Sequence, residues 1–411
     1  MRVAGRVSEG LERLLGLDVR YYVRGGAVLF ATQAFLIVLS FVLSVVFARV
    51  ATKELFGQFQ FVLAVVGTVS ILALPGLNAA VQLGAARGQD GVLAQGARYK
   101  RWFSVLGVAA LGVAAGYFYG IGNDAVWKAC AVSLFAFPLV YSFDVVHAFF
   151  AGKRRFDLTC AFQLVSEGLS SVVAMVLLFV TGELWLILLG YWALKAVGVT
   201  LGYVFARARF RGVETDTDLL QYGAHLTVMN VFPYVKAFFD KLVVAYFLGF
   251  AATAVYGIGQ AVSEQLYAVS KNVANVVFPK VAERERDLAF GVVRKKLWLL
   301  VLFFSVIAAV AVLLAPLVIP FFFSEQYAGA VWIAQVLVVA SVPRAIGTVL
   351  SRAQEAQKEK GRLYRINIVY SLIEIVGLLV LAPLYGLAGI VAAKAVANVV
   401  YAGVAFWAVS V

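Results

Sequence analysis

Apolar stretches of about 20 residues, joined by short basic segments, recur along the whole chain and constrain its fold more than any other feature. A helix of that length crosses the hydrocarbon core of a bilayer. Of the 411 residues, 63% are hydrophobic and 14% are charged, whereas a soluble domain carries about 25% charged residues. The pattern predicts an all-α membrane protein and excludes an ordinary soluble domain.

Windows of this length predict twelve transmembrane helices. They lie at residues 25–47, 56–84, 102–120, 126–150, 157–181, 184–206, 220–247, 252–279, 297–320, 329–351, 364–383 and 387–410. The segment 1–24 is basic and amphipathic and has no cleavage site, so we expect it to lie on the cytoplasmic surface. Pro75, Pro138 and Pro233 fall inside spans, where proline kinks or breaks a helix.

The basic residues are distributed unequally between the two sides of these spans. With a cytoplasmic N-terminus, the cytoplasmic segments hold 26 Lys and Arg, whereas the outside loops hold only Arg49, Lys53 and Lys128. This distribution follows the positive-inside rule. We therefore expect both termini in the cytoplasm and a multi-pass protein of the cytoplasmic membrane. The net charge of +13 then reflects orientation, and we expect no nucleic acid partner.

Three sequence similarities relate the two halves of the chain. Gly57 matches Gly257 within RVATKELFGQF and GFAATAVYGIG, and Lys195 in ALKAV matches Lys394 in AAKAV. The basic segments at 153–168 and 360–377 each lead into a helix with a central glutamate. These repeats predict an N-terminal six-helix lobe at 25–211 and a C-terminal six-helix lobe at 212–411, around a central cavity. Parallel repeats of this kind are a transporter architecture.

Eleven charged side chains lie inside the predicted spans. The bases are Lys195, Lys236, Lys241, Lys271, Arg344 and Lys394, and the acids are Asp144, Glu167, Asp240, Glu264 and Glu374. A Lys or Arg at the centre of a bilayer costs about 2.5–3.5 kcal/mol, so six bases facing lipid would cost about 15–20 kcal/mol. That exceeds a typical net folding stability. Most of these charges must therefore face one another or a water-filled cavity.

The spacing of the polar residues supports such a shared interior, because several of them fall on one face of a helix. The stripes are Gln260, Glu264, Tyr267 and Lys271 in the eighth span, Gln163, Glu167 and Ser170 in the fifth, and Asn367, Ser371 and Glu374 in the eleventh. In the seventh span, Lys236 and Asp240 have the spacing of a helical ion pair, whereas Lys241 points elsewhere.

Two interpretations of these charges stay open. The acids Glu167, Asp240, Glu264 and Glu374 either pair with bases to hold helices together or couple transport to Na⁺ or H⁺. For the six bases we expect a cavity that binds an anionic headgroup, because ammonium and guanidinium groups bind phosphate strongly. Asp144 and His147 are expected to be interfacial. Two cysteines and two histidines predict no metal, cofactor or catalytic site.

Three segments resemble a known family. They are residues 56–91 (FGQFQFVLAVVGTVSILALPGLNAAVQLGAARGQDG), residues 238–285, and the chain from Arg344 to its end. They are similar to the oligosaccharide flippases of polysaccharide biosynthesis, a branch of the superfamily that also contains multidrug and toxin extruders and lipid II flippases. The resemblance covers nearly the whole chain.

The resemblance implies two six-helix bundles that form a V around a cationic cavity and work by alternating access. It implies flipping of a polyprenyl-diphosphate-linked oligosaccharide from the inner to the outer leaflet. We expect this lipid-linked sugar, membrane lipid and the polysaccharide polymerase or glycosyltransferase machinery as partners. Family cavities commonly use Arg, whereas Lys predominates here. The chain ends at Val411 without the two further helices of lipid II flippases, so we expect another branch.

The leading alternative is a multidrug or toxin cation antiporter on the same fold. Organic cations require an acidic or aromatic cavity, but bases outnumber acids six to five inside these spans. A membrane enzyme would require a sizeable polar loop or a catalytic acid pair, and the short interior loops offer neither. A channel or scaffold leaves the two-lobe repeat with charges inside the spans unexplained. We therefore expect a transporter and not an enzyme.

Overall fold

The computed structural model describes residues 19–212, 217–282, 291, 295, 297–357 and 360–410, and these residues are almost entirely helical. Most of the predicted amphipathic segment 1–24 lies outside the described residues; residues 19–24 begin the first helix. The prediction of an all-α protein is confirmed. Nothing in these residues tests the expected surface location of the N-terminal segment.

Fifteen α-helices follow one another along the described chain. They are α1 Val19–Val50, α2 Lys53–Val69, α3 Leu77–Ala86, α4 Val92–Gly120, α5 Asp124–Phe143, α6 Val145–Gly152, α7 Phe156–Gln163, α8 Ser170–Val180, α9 Leu184–Arg209, α10 Thr217–Met229, α11 Val231–Leu248, α12 Phe250–Ala282, α13 Leu297–Phe323, α14 Ala330–Ala356 and α15 Lys360–Ser410. Short 3₁₀ turns at Ser70–Ala73 and Glu325–Tyr327 and a π turn at Leu164–Leu169 complete the order.

Nine stretches of the described chain are long and apolar enough to cross a membrane. They are Val28–Val50, Lys53–Ala73, Val92–Gly120, Asp124–Gly152, Phe156–Val180, Leu184–Arg209, Leu297–Phe323, Ala330–Glu355 and Ile366–Ala408. The last has 43 residues and contains two of the predicted spans. The seventh and eighth predicted spans are not among the nine, and both carry polar and charged residues. A multi-pass membrane protein is confirmed, whereas the number twelve and the location of the termini stay predictions.

Several spans that the hydropathy pattern presents as continuous are broken helices. Pro75 follows Leu74, whose φ of 55° lies in the left-handed region, and the helix of the second span stops there and restarts as α3. The seventh span breaks at Asn230, and Pro233 occupies the first turn of α11, where proline is tolerated. Pro138, by contrast, lies inside continuous α5. In α15, Gly386 (φ 61°) separates the eleventh and twelfth spans.

The chain forms two compact units that are not continuous in sequence. The first comprises the described residues within Met1–Ser44 and Leu72–Val228, and the second those within Val45–Ile71 and Met229–Val411. The first unit packs around a core that includes Val81, Val145, Phe149, Phe150 and Val199. The second has one core around Tyr256 and Ile390 and another around Phe304 and Val349. The expected lobes at 25–211 and 212–411 with a central cavity stay a prediction.

The two glycines that mark the sequence repeat lie at one helix crossing in the second unit. A Cβ at Gly57 of α2 would overlap the carbonyl oxygen of Phe250, at the start of α12. A Cβ at Gly257 of α12 would overlap the side-chain amide of Gln60 on α2. Each glycine therefore lets the other helix approach closely, as small residues do in membrane helix packing.

This crossing predicts that Gly57→Ala is destabilising although alanine favours the helix more than glycine. We expect a loss of about 1–3 kcal/mol, because the added methyl displaces backbone. The measurement is thermal unfolding of the purified protein in detergent. The matched control is Gly116→Ala in α4, where a Cβ meets nothing within 4 Å. Equal melting temperatures for the two variants would contradict the close approach.

Candidate functional site

A polar cavity of about 740 Å³ lies within the second unit, between α11, α12, α14 and α15. Its charged lining residues are Lys236, Lys241, Glu264, Lys271, Arg344, Glu374 and Lys394. Tyrosines and amides complete the lining, among them Tyr234, Tyr267, Tyr370, Tyr401, Asn230, Gln260 and Asn367. The predicted stripes of the eighth and eleventh spans thus face one cavity, as their spacing predicts. Because their polar side chains line this cavity, the less apolar seventh and eighth predicted spans are compatible with a membrane protein.

Asp240 is the most deeply buried charge beside this cavity, with no exposed surface. Its Oδ2 accepts hydrogen bonds from the Tyr256 hydroxyl at 2.8 Å and the Gln260 amide at 2.7 Å, and from Lys394 Nζ. Its Oδ1 accepts the backbone N–H of Lys241 at 2.8 Å. A buried carboxylate requires this complete set of partners. The expected helical pair between Lys236 and Asp240 is wrong, because Lys394 takes that place.

Glu374 joins Lys236 and Lys394 into the same network. Its Oε2 lies 3.2 Å from Lys236 Nζ, and its Oε1 lies 3.8 Å from Lys394 Nζ. Lys236 Nζ also lies 3.4 Å from the centre of the Tyr370 ring, a close cation–π contact. Two bases and two acids from α11 and α15 therefore neutralise one another below the cavity surface, where an isolated charge would be strongly destabilising.

A second pair lies further along α12. Arg344 Nη1 donates to Glu264 Oε1 at 2.9 Å, which links α14 to α12. The guanidinium centre lies 3.6 Å from the centre of the Tyr267 ring, and Lys271 Nζ lies 4.3 Å from the same centre. Tyr267 thus holds two cations at the cavity wall, of which Arg344 is paired with Glu264.

The described charges around the cavity are predominantly positive. Five bases line it, and three acids, Glu264, Glu374 and the adjacent Asp240, oppose them. With every group in its ordinary ionised form, the site carries a net charge of +2. Its walls are buried protein of low dielectric, which strengthens attraction for an anion relative to water. The arrangement suits a small, doubly negative group.

Lys195 is not among the described residues that line this cavity, although the sequence groups it with the other five bases. It lies in the first unit, where its Nζ donates to Glu167 Oε2 at 2.9 Å. Glu167 lies in the π turn Leu164–Leu169, so the α-helical stripe expected for the fifth span is interrupted. The pair is the counterpart of Lys394 and Glu374, at the equivalent places in the second half of the sequence.

Sequence reasoning missed one buried base in the first unit. Lys100 is 1% exposed inside α4, and its Nζ donates to Asp144 at 2.5 Å and to Asn78 at 2.9 Å. It belongs to the run Arg98–Arg101, which has the composition of a cytoplasmic loop, so the sequence offered no signal of burial. Tyr256 and Tyr370 were also missed, since aromatic residues are common in every span. Within the described residues, no group of His, Cys, Asp or Glu has metal-site geometry.

The sequence of this chain matches a known protein family. The family described as "Polysaccharide biosynthesis protein" matches residues 46–332, more than half of the chain. A search of curated protein sequences gives no match.

Solved structures share the fold over nearly the full chain. An inward-facing multidrug resistance MATE family transporter of the MOP superfamily is 14% identical, with a TM-score of 0.72 over 91% of this chain and 94% of the other. The lipid II flippase MurJ, in an inward closed conformation, is 13% identical, with a TM-score of 0.71 over 93% and 87%. A MOP superfamily transporter from Pyrococcus furiosus with reversed pocket polarity is 13% identical, with a TM-score of 0.63 over 95% and 94%.

The predicted family resemblance is therefore confirmed: the chain belongs to the polysaccharide biosynthesis protein family and has the fold of MOP superfamily transporters.

Proposed function

We propose that the protein is a flippase that moves a polyprenyl-diphosphate-linked oligosaccharide from the inner to the outer leaflet of the cytoplasmic membrane by alternating access. The observation that carries the proposal is the cavity lined by Lys236, Lys241, Lys271, Arg344 and Lys394. A diphosphate diester carries two negative charges, which matches the net charge of this site. Family membership supports a role in polysaccharide biosynthesis.

The neutral lining fits the sugar part of such a substrate. Asn230, Gln260, Asn367 and Thr348 offer amide and hydroxyl groups, and the tyrosines add ring faces and hydroxyls. Sugar hydroxyls require donors and acceptors of this kind to replace water. In the proposed cycle the diphosphate and sugar occupy the wet cavity while the polyprenyl chain stays in lipid. The site residues act by binding, and we propose no enzymatic step.

The cavity charge argues against the rival function of a cation antiporter. An organic cation would meet a site with two more positive than negative side chains, and its entry would be electrostatically unfavourable. Several solved structures of the same fold are multidrug transporters, but likeness at this identity concerns the fold and not the substrate. The site chemistry therefore favours the flippase over the antiporter.

The first test is complementation of a strain that lacks its own polysaccharide flippase and makes a sugar the protein accepts. We expect the wild-type protein to restore surface polysaccharide and Lys271→Ala to abolish most of that rescue at matched expression, because the variant loses a cavity cation. Lys128→Ala is the control, since Lys128 pairs with Asp124 on an exposed surface. Full rescue by Lys271→Ala would show that the Lys271 charge is not needed for substrate binding.

The second test concerns the driving force. Outward movement of two negative charges gains about 4–5 kcal/mol at 100 mV, inside negative. Collapsing the potential with an ionophore should therefore slow outward flipping in inverted vesicles or proteoliposomes that contain the purified protein. An unchanged rate would remove the potential as a driver and favour compensation by a co-transported cation.

A further inference from the structure

Ion pairing divides the five cavity bases into two groups. Lys236, Lys394 and Arg344 each lie within 4 Å of a carboxylate. Lys241 and Lys271 form no ion pair with any residue that the structure describes. The three paired bases balance Asp240, Glu264 and Glu374, so the net charge of +2 belongs to the two remaining lysines. These two have charge to offer a ligand without breaking an existing pair.

The two free lysines lie at different depths in the cavity. Lys241 follows Asp240, whose carboxylate accepts a hydrogen bond from Gln260, so Lys241 lies at the level of Gln260 on α12. Lys271 lies eleven residues beyond Gln260. At 1.5 Å per residue this is about 16 Å along the helix axis. The backbone positions of the two lysines are therefore further apart along the cavity than a diphosphate is long.

The surroundings of the two lysines differ, and the difference indicates which lysine an anion from the cytoplasm would meet first. Lys271 is exposed and lies over Tyr267 beside Arg344, whereas Lys241 is partly buried beside the Asp240 network. The turn at Gly249 joins α11 directly to α12, so Lys271 lies far from this turn and Lys241 nearer to it. In the predicted topology the turn is outside, which places Lys271 toward the cytoplasm.

We propose that Lys271 and Lys241 are two successive binding positions for one diphosphate, an entry position at Lys271 and a deeper position at Lys241. The three paired bases form a fixed scaffold that holds the helices between them. Glu264 and Arg344 lie between the two positions and keep that stretch neutral, so the anion passes without becoming trapped. The proposal rests on the proposed function and adds an order of contacts to it.

The first arm of the test uses inorganic pyrophosphate and purified protein in detergent. The wild-type protein should bind pyrophosphate, Lys241→Gln and Lys271→Gln should each keep the position of the remaining lysine, and the double variant should bind none. Losing one lysine should weaken binding at its own position about 10- to 100-fold, the effect of a charge-assisted hydrogen bond. Lys128→Gln is the control, and matched melting temperatures show that each variant is folded. Loss of all pyrophosphate binding in either single variant, or retained binding in the double variant, would overturn the proposal.

The second arm measures flipping of a fluorescent polyprenyl-diphosphate-linked sugar in proteoliposomes. Lys271→Gln should raise the substrate fraction that gives half-maximal rate, whereas Lys241→Gln should lower the maximal rate. The same parameter changed in both variants would also overturn the two-position order. A wild-type protein that binds pyrophosphate at both positions but does not flip this lipid would refute the proposed function and leave the two anion positions standing.

Discussion

The second unit depends on the neutralisation of Asp240. This carboxylate has no exposed surface, and an unpaired charge there would cost several kcal/mol. Tyr256, Gln260 and Lys394 satisfy it, and each comes from a helix other than its own. Because these partners lie on α12 and α15, the requirement fixes how three helices meet. The cavity is the space that remains beside this network.

The charged network also shows how the two copies of the sequence repeat differ. Both halves contain a lysine in the ALKAV or AAKAV motif and a glutamate in the preceding predicted span. In each unit this lysine and glutamate are in contact: Lys195 with Glu167 at 2.9 Å, and Lys394 with Glu374 at 3.8 Å. In the second unit Asp240 and Lys236 join this pair, and the lysine turns chiefly to Asp240. The second unit therefore carries two further charges around the pair that the first unit also has.

Periodicity and composition predicted the parts of this structure that depend on local rules. The helices, the membrane class and the stripe from Gln260 to Lys271 followed from hydropathy and spacing. Gly57 and Gly257 stood out as a match between the two halves, but their close helix packing was seen only in the structure. The pairing of charges did not, because Lys236 had a suitable partner four residues away and tertiary packing supplied a different one. The burial of Lys100 against Asn78 and Asp144 was likewise set by tertiary contacts, which a single sequence does not display.

We propose that this protein moves an anionic lipid-linked sugar on a fold that it shares with multidrug transporters, because the charge of the cavity and not the fold selects the substrate. The most direct measurement is a comparison of two substrates in the same proteoliposomes with purified wild-type protein: a polyprenyl-diphosphate-linked oligosaccharide and the organic cation ethidium. We expect flipping of the lipid-linked sugar and no ethidium transport above protein-free liposomes. Ethidium transport without flipping of the lipid-linked sugar would contradict the proposal.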